Sequence, residues 1–440
     1  MSPDYGLHST VGPMLFVSKR CPLTNYRITH LVNSQILTEK YPSCSGIVLV
    51  YFFCGVFLIS LGVSTIPLLL EGVKPSADMY HFLFYVDQVL EKKTFKEAFS
   101  TIFSQPWARL YSTWLLLLSG TVKIFGKDWL LAIAVVNIIC HSLAITLMAI
   151  LVFFSTKKIM LTILISILLT FSVDILIRVN WAISDSWFLF TATAAFVMTG
   201  AVFFKPKNVC LVIAAIVAVI VAGLTRPHGL SIFVVGISAI LWRGWFSRIS
   251  STASLTIFAV LILGMFSSFV LEAFIFSPSY APMTTEDSML QDDLLKGMVL
   301  EGVYSTYQTG TEHFLGRLIT IVDRYITFFS FFPPHWSMKH ILLSSVIFLP
   351  WYVSFISCWI MVGSKELDPR IRCLILYSTI WILSISAYAG WSHVTYEYRY
   401  RLPLMPIFAF QVVLCVYLLV PIDTLMNRSK KWGSRIVGKN

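Results

Sequence analysis

Charge is scarce in this sequence. Asp, Glu, Lys and Arg together make up 12% of the 440 residues, too little to solvate the surface of a water-soluble chain of this length. No Walker A motif and no Gly-rich dinucleotide turn is present, which argues against an ATP-driven pump or a nucleotide-sugar fold. The eight cysteines show no CxxC spacing, and His313, His335, His340 and His393 show neither HxxxH nor HxH spacing. A disulfide framework and a recognisable zinc motif are therefore both missing. Alternating barrel-type strands, internal repeats and low-complexity tracts are absent as well.

What remains is apolar. The chain is 57% hydrophobic and 15% aromatic, with a mean hydropathy of +0.78, so lipid is expected to be its main solvent. Long apolar runs occupy Ile47–Leu70, Trp129–Phe154, Ile159–Leu176, Trp187–Phe204, Val209–Leu224, Gly229–Trp242, Ser254–Phe276, Ile341–Val362, Cys373–Tyr388 and Leu404–Val420. The fold class is accordingly all-α, a polytopic transmembrane helix bundle of about ten spans, since helices satisfy their own backbone polar groups in hydrocarbon. The polar stretch before Ser45 carries Lys19, Arg20, Arg27 and Lys40. It is too long for a secretory n-region, so the first run is expected to be an uncleaved span.

The net charge is 33 − 22 = +11. In a soluble chain that would raise nucleic-acid binding; here the basic residues gather at the ends of apolar runs, as a topology signal does. Tyr111–Phe125 is short for a span. If it does not cross and the N-terminus is cytoplasmic, four inner loops hold nine basic residues: Lys157, Lys158, Lys205, Lys207, Arg243, Arg248, Lys365, Arg370 and Arg372. The opposing short loops hold four: Arg178, Arg226, Arg399 and Arg401. That bias obeys the positive-inside rule, and Tyr111–Phe125 is read as a juxtamembrane helix.

The expected division is a cytoplasmic segment 1–45, a bundle 46–421 and a basic cytoplasmic tail 422–440. Outer loops 72–128 and 277–340 are too long to be simple connectors. In the first, apolar residues from Met79 to Leu90 and from Phe95 to Phe103 keep helical spacing, predicting helices that lie in the interface.

This topology leaves a small set of ionisable residues beside the outer surface: Asp78, Asp185, Arg226, His228, Glu397, Arg399 and Arg401. Asp78, in the run leading to Tyr80 and His81, is either an N-cap or a general base. Thr225-Arg226-Pro227-His228-Gly229 is a tight polar turn between two apolar spans. Arg226 there is an interfacial anchor or a planar fork for phosphate, with His228 a further donor or proton relay. Asp185 caps its helix or contacts sugar or acceptor. Tyr396-Glu397-Tyr398-Arg399-Tyr400-Arg401 alternates basic and aromatic residues, which suits a lipid phosphate better than a plain aromatic belt. His141, inside a span, is expected to be hydrogen-bonded within the bundle.

In layout these landmarks resemble GT-C-fold glycosyltransferases. Asp78 and Tyr80 after the first span, Gln105-Pro106-Trp107 leading to Lys123-Ile124-Phe125-Gly126, and Tyr398 to Pro406 are similar to features of protein mannosyltransferase-like and aminoarabinose-transferase-like members. The resemblance implies a polyprenyl-phosphate sugar as donor, with no cofactor besides it and no metal. It implies transfer to a glycan, lipid or protein acceptor, with Asp78 as general base and Arg399, Arg401 and Arg226 on the donor phosphate. Tyr80, His81, Asp185, His228, Glu397 and Tyr398 would contact substrate. Where many members carry an acidic pair, this chain has Met79 after Asp78. The implied setting is a multi-pass protein of a bacterial inner membrane whose site faces the periplasm, with the bilayer and no nucleic acid as partner. Rival readings are an oligosaccharide polymerase or ligase using a lipid-pyrophosphate glycan, and a lipid or solute transporter or flippase.

Overall fold

A computed structural model describes residues 42–76, 78–241, 325, 328–329, 338–362, 367–391 and 398–420. The expected span Ser254–Phe276, most of loop 277–340, and the segments 1–41 and 421–440 lie outside the described residues. The chain divides after Phe52 into two units. Of the first, only the opening of helix α1 is described; the sites and packing below belong to the second.

The described part is helical apart from one two-residue strand pairing. Helix α1 (Pro42–Glu71) leads to strand β1 (Lys74–Pro75). Helices α2 (Asp78–Leu90), α3 (Phe95–Ser104), α4 (Pro106–Leu110) and α5 (Ser112–Phe125) follow. After a short 3-10 turn come α6 (Trp129–Thr156), α7 (Ile159–Thr170), α8 (Val173–Val179) and strand β2 (Trp181–Ala182). The rest are α9 (Asp185–Phe204), α10 (Val209–Gly223), α11 (Gly229–Leu241), α12 (Met338–Val362), α13 (Pro369–Trp391), a 3-10 segment Tyr398–Leu404, and α14 (Met405–Leu419).

Among the described residues five helical stretches are long and apolar enough to cross a membrane. A sixth is added if the bent pair α7 and α8 forms one span. Helices α10 and α11, at 15 and 13 residues, are shorter than the roughly 20 residues that a perpendicular crossing takes.

One expectation changes in detail. The run Ile159–Leu176 is not one straight helix but breaks between Thr170 and Val173 with a 54° bend. Phe171 and Ser172 close the first half through hydrogen bonds to Ile167 and Leu169 carbonyls, and Asp174 opens the second half. The stretch from Ser112 to Thr156 is helical nearly throughout, yet Gly126 sits at φ +53°, ψ −117°. No α-helical residue adopts that conformation, so α5 and α6 are separate helices. At 14 residues α5 is about 21 Å long, and its Trp114, Leu115 and Leu118 pack in one core with Met79, Phe82 and Val86 of α2 and Ile102 of α3. Thr94 and Glu97 form a reciprocal capping box that starts α3, satisfying donors that its first turn would otherwise orphan.

Helices α6 and α9 run side by side in the same direction. Asn137 of α6 donates to the Trp181 carbonyl just before α9 (2.7 Å), while at their far ends Lys157 lies within the electrostatic reach of Lys205. The 20 residues of α9, Asp185 to Phe204, span about 30 Å, one hydrocarbon thickness. Midway, Phe196 stacks on Tyr377 of α13 (5.1 Å) and meets Phe410 of α14 edge-on (5.6 Å). The bundle therefore has two distinguishable ends, an Asp185 end and a Lys205 end.

Buried polar side chains join the helices between those ends. Ser64 bonds His141 Nδ1 at 2.6 Å, as the reading of His141 expects, and Ser60 bonds Thr170 at 3.1 Å. Gln411 accepts from Trp351 Nε1 (2.8 Å) and donates to Ser378 (2.9 Å) and Thr379 (3.2 Å). Each such bond contributes on the order of 0.6 kcal/mol in lipid.

Candidate functional site

The site begins with the parallel pairing of β1 and β2, which sets Lys74 against Trp181 and Pro75 against Ala182. Asp78 follows Pro75 by three residues and Asp185 follows Ala182 by three. Each is the first residue of a helix, α2 and α9 respectively. Two segments more than a hundred residues apart in sequence thus deliver helix-opening aspartates from the same end of one strand pair.

Asn180 staples the arrangement. Its side-chain amide donates to the Gly72 carbonyl (2.9 Å), and its backbone carbonyl accepts from Lys74 N–H (3.0 Å). Lys74 and Arg178 both lie over the Trp181 ring, 5.9 and 4.8 Å from its centre. The hydroxyls of Ser76 and Ser184, close before the two aspartates, are buried and have no hydrogen-bond partner among the described residues.

Asp185 is buried and forms an ion pair with Arg226 through Oδ1 and Nη1. It does not cap its helix: Ser184 holds the N-cap position, without a side-chain cap bond. The helix cap, one of the two readings open from sequence, is therefore not formed, and the ion pair with Arg226 is a partnership that neither reading named.

The turn that carries Arg226 is clamped from two sides. Thr113, at the start of α5, donates its backbone N–H to the Leu224 carbonyl (3.1 Å) and bonds the Thr225 hydroxyl (2.7 Å). Trp187 Nε1 of α9 donates to Thr113 (3.3 Å), and Thr191 lies 3.4 Å from the Thr225 hydroxyl. Gly229 closes the turn because a Cβ there would stand 2.1 Å from the Ala222 carbonyl oxygen, a clash that backbone atoms cannot evade. His228 is buried, with its ring 4.7 Å from that of Tyr388.

Arg401 reaches the same end from the 3-10 segment that precedes α14. That segment packs against α8 and α9, and Arg401 is 4% exposed, with Phe328 and Phe348 ring centres 5.8 and 5.1 Å from its guanidinium carbon. Asp174, buried in the first turn of α8, attracts Arg401 electrostatically. The sequence reading missed Asp174, although an acid two residues after a Phe-Ser break in an apolar run is a visible signal. It also missed Thr113, Thr191, Asn137 and Asn180, uncharged residues whose roles depend on long-range neighbours.

Among the sequence candidates, Asp185, Arg226, His228 and Arg401 are thus buried at one end of the bundle. Asp78 joins them at the level of the backbone. His81 is exposed on α2. For Tyr80, Tyr398 and Arg399 the described features are their backbone positions in α2 and the 3-10 segment, and Glu397 lies outside the described residues.

No protein-family model and no curated protein matches the chain. The functional reading therefore rests on this geometry. Chemically the end offers an ion-paired carboxylate and guanidinium, a second buried guanidinium, an imidazole and several hydroxyls, inside a bundle whose outer faces are apolar. No group of three or more His, Cys, Asp or Glu side chains suited to a metal ion occurs among the described residues.

Proposed function

We propose that the chain is a GT-C-like membrane glycosyltransferase of about ten spans that moves a sugar from a polyprenyl-phosphate donor to an acceptor hydroxyl on the non-cytoplasmic face. The observation that carries this reading is the register of β1 and β2, which brings the Asp78 and Asp185 turns together at the end where Arg226 and Arg401 are buried. A transferase of this kind needs a base, cationic groups for the leaving phosphate, and lipid access beside both.

In this reading the acceptor oxygen attacks the anomeric carbon, its proton passes to the Asp78 carboxylate, and the bond from that carbon to the phosphate oxygen breaks. The electron pair leaves on the phosphate, whose growing charge is stabilised by Arg226, Arg399 and Arg401. Asp185 fixes the plane of the Arg226 guanidinium, a fork suited to phosphate. His228, Asp185, Tyr80, His81, Glu397 and Tyr398 are the proposed substrate contacts. A single displacement inverts the anomeric carbon.

Purified protein is to be assayed for release of polyprenyl phosphate from a panel of polyprenyl-phosphate sugars. Asp78→Asn is expected to lower turnover about 100- to 10,000-fold with an unchanged melting temperature. Undiminished turnover in that variant removes Asp78 from the mechanism.

One observation favours a transporter instead. The 54° break between α7 and α8, with Asp174 at the second half's start, resembles the discontinuous helices that line transporter sites. Solute flux into proteoliposomes without glycan product would decide for that second reading.

A further inference from the structure

The opposite end of the bundle carries a second arrangement. Lys157 and Lys158 follow α6, Lys205 and Lys207 follow α9, and neither loop, 155–158 or 205–208, contains an acid. Packing of α6 on α9 brings the two loops together. Like charges held this close repel, and Lys157 is pushed below the ordinary lysine range by partial burial and by the Lys205 ammonium.

Two features make this more than a run of solvated lysines. Lys157 occupies the left-handed position after the last helical turn, at φ +57°, where glycine is the usual residue. Its backbone N–H bonds the Phe153 carbonyl (2.8 Å), and its ammonium is held back over the Phe153 and Phe154 rings, 5.7 and 4.7 Å from their centres. Directly beyond the lysines, apolar ridges face outward. Ile159, Ile163 and Ile167 repeat every fourth residue on α7, and Val209, Ile213 and Val217 do the same on α10. Cations at a span end with exposed apolar ridges beside them match the two parts of one molecule, an anionic head and acyl chains.

We propose that Lys157, Lys158, Lys205 and Lys207 form a binding site for the phosphate headgroup of an anionic phospholipid, whose chains lie along the ridges of α7 and α10. A bound headgroup relieves the repulsion between the lysine loops, and the positive N-terminal end of α7, which begins right after Lys158, adds to its attraction. The site is independent of the proposed transfer chemistry, which sits at the other end.

The test is native mass spectrometry of the full chain in detergent, titrated with cardiolipin and, separately, with phosphatidylcholine. The wild type is expected to retain cardiolipin in preference to phosphatidylcholine. Lys157→Ala with Lys205→Ala is expected to weaken cardiolipin retention roughly 30-fold. Lys157→Arg with Lys205→Arg should restore it, and the control pair Lys123→Ala with Lys127→Ala, which removes the same charge from the exposed last turn of α5 and the turn after it, should leave it unchanged. Excess inorganic phosphate should fail to displace the lipid. Equal retention by the alanine pair, equal retention of phosphatidylcholine, or displacement by inorganic phosphate would each overturn the proposal, the last by making the site one for free anions.

Discussion

At one end of the bundle Asp185 and Arg226 are buried against each other, while at the other Lys157 and Lys205 are exposed and repel. The contrast follows from what holds each end. The Asp185 end is built of turns from four distant segments, cross-linked by a strand pairing and a hydroxyl cluster. The Lys205 end consists of short loops whose backbone needs are met locally, as where Asn208 caps α10. A protein that buries a charge pair and clamps it with hydroxyls incurs a desolvation cost that a surface topology signal does not. The buried end is therefore where a function requiring fixed geometry belongs, and the exposed end suits contact with a fluid partner such as a headgroup.

This comparison can be broken by substitution. The largest expected effect is Arg226→Ala, which leaves Asp185 buried without its cation. It should cost about 3 to 5 kcal/mol in denaturant unfolding in detergent. Adding Asp185→Asn should recover part of that loss, a coupling that independent sites would not show. Gly229→Ala comes next, because its methyl would meet the Ala222 carbonyl. A loss of about 3 kcal/mol is expected, read as a lowered melting temperature.

At the other end Lys205→Ala should change stability by less than about 0.5 kcal/mol. Its effect should appear instead in titration. Lys157 is depressed by burial and by Lys205, so just below the ordinary lysine value of about 10.4 the unfolded chain holds more protons and stability rises with pH. Removing Lys205 lifts one of these causes, moves Lys157 towards the ordinary value and flattens that rise. Methyl NMR of dimethylated lysines would follow it directly.

The sequence made much of this contrast readable in advance, but by different routes. Runs of twenty apolar residues and lysines at their ends are local signals, so the helical class and the basic end could be read directly. Asp185, Arg226, His228 and Arg401 stood out because ionisable residues beside hydrocarbon are costly and rarely idle. What could not be read was who meets whom. The pairing of Asp185 with Arg226 spans 41 residues, and the register of Lys74 with Trp181 depends on Asn180 and Asn137, whose side chains carry no pattern. The break after Thr170 was hidden because hydropathy averaged over a window passes across Phe171 and Ser172 unchanged.

The central claim is that the turns before Asp78 and Asp185 lie side by side. Lys74→Cys with Trp181→Cys in a chain otherwise freed of cysteine tests it most directly, since neighbouring strand positions about 5 Å apart suit a disulfide. Mild oxidant acting on the membrane-embedded protein should convert both thiols to an intramolecular disulfide, seen as loss of maleimide labelling that a reductant restores. Both cysteines remaining fully labelled after oxidation would separate the two turns and contradict the account.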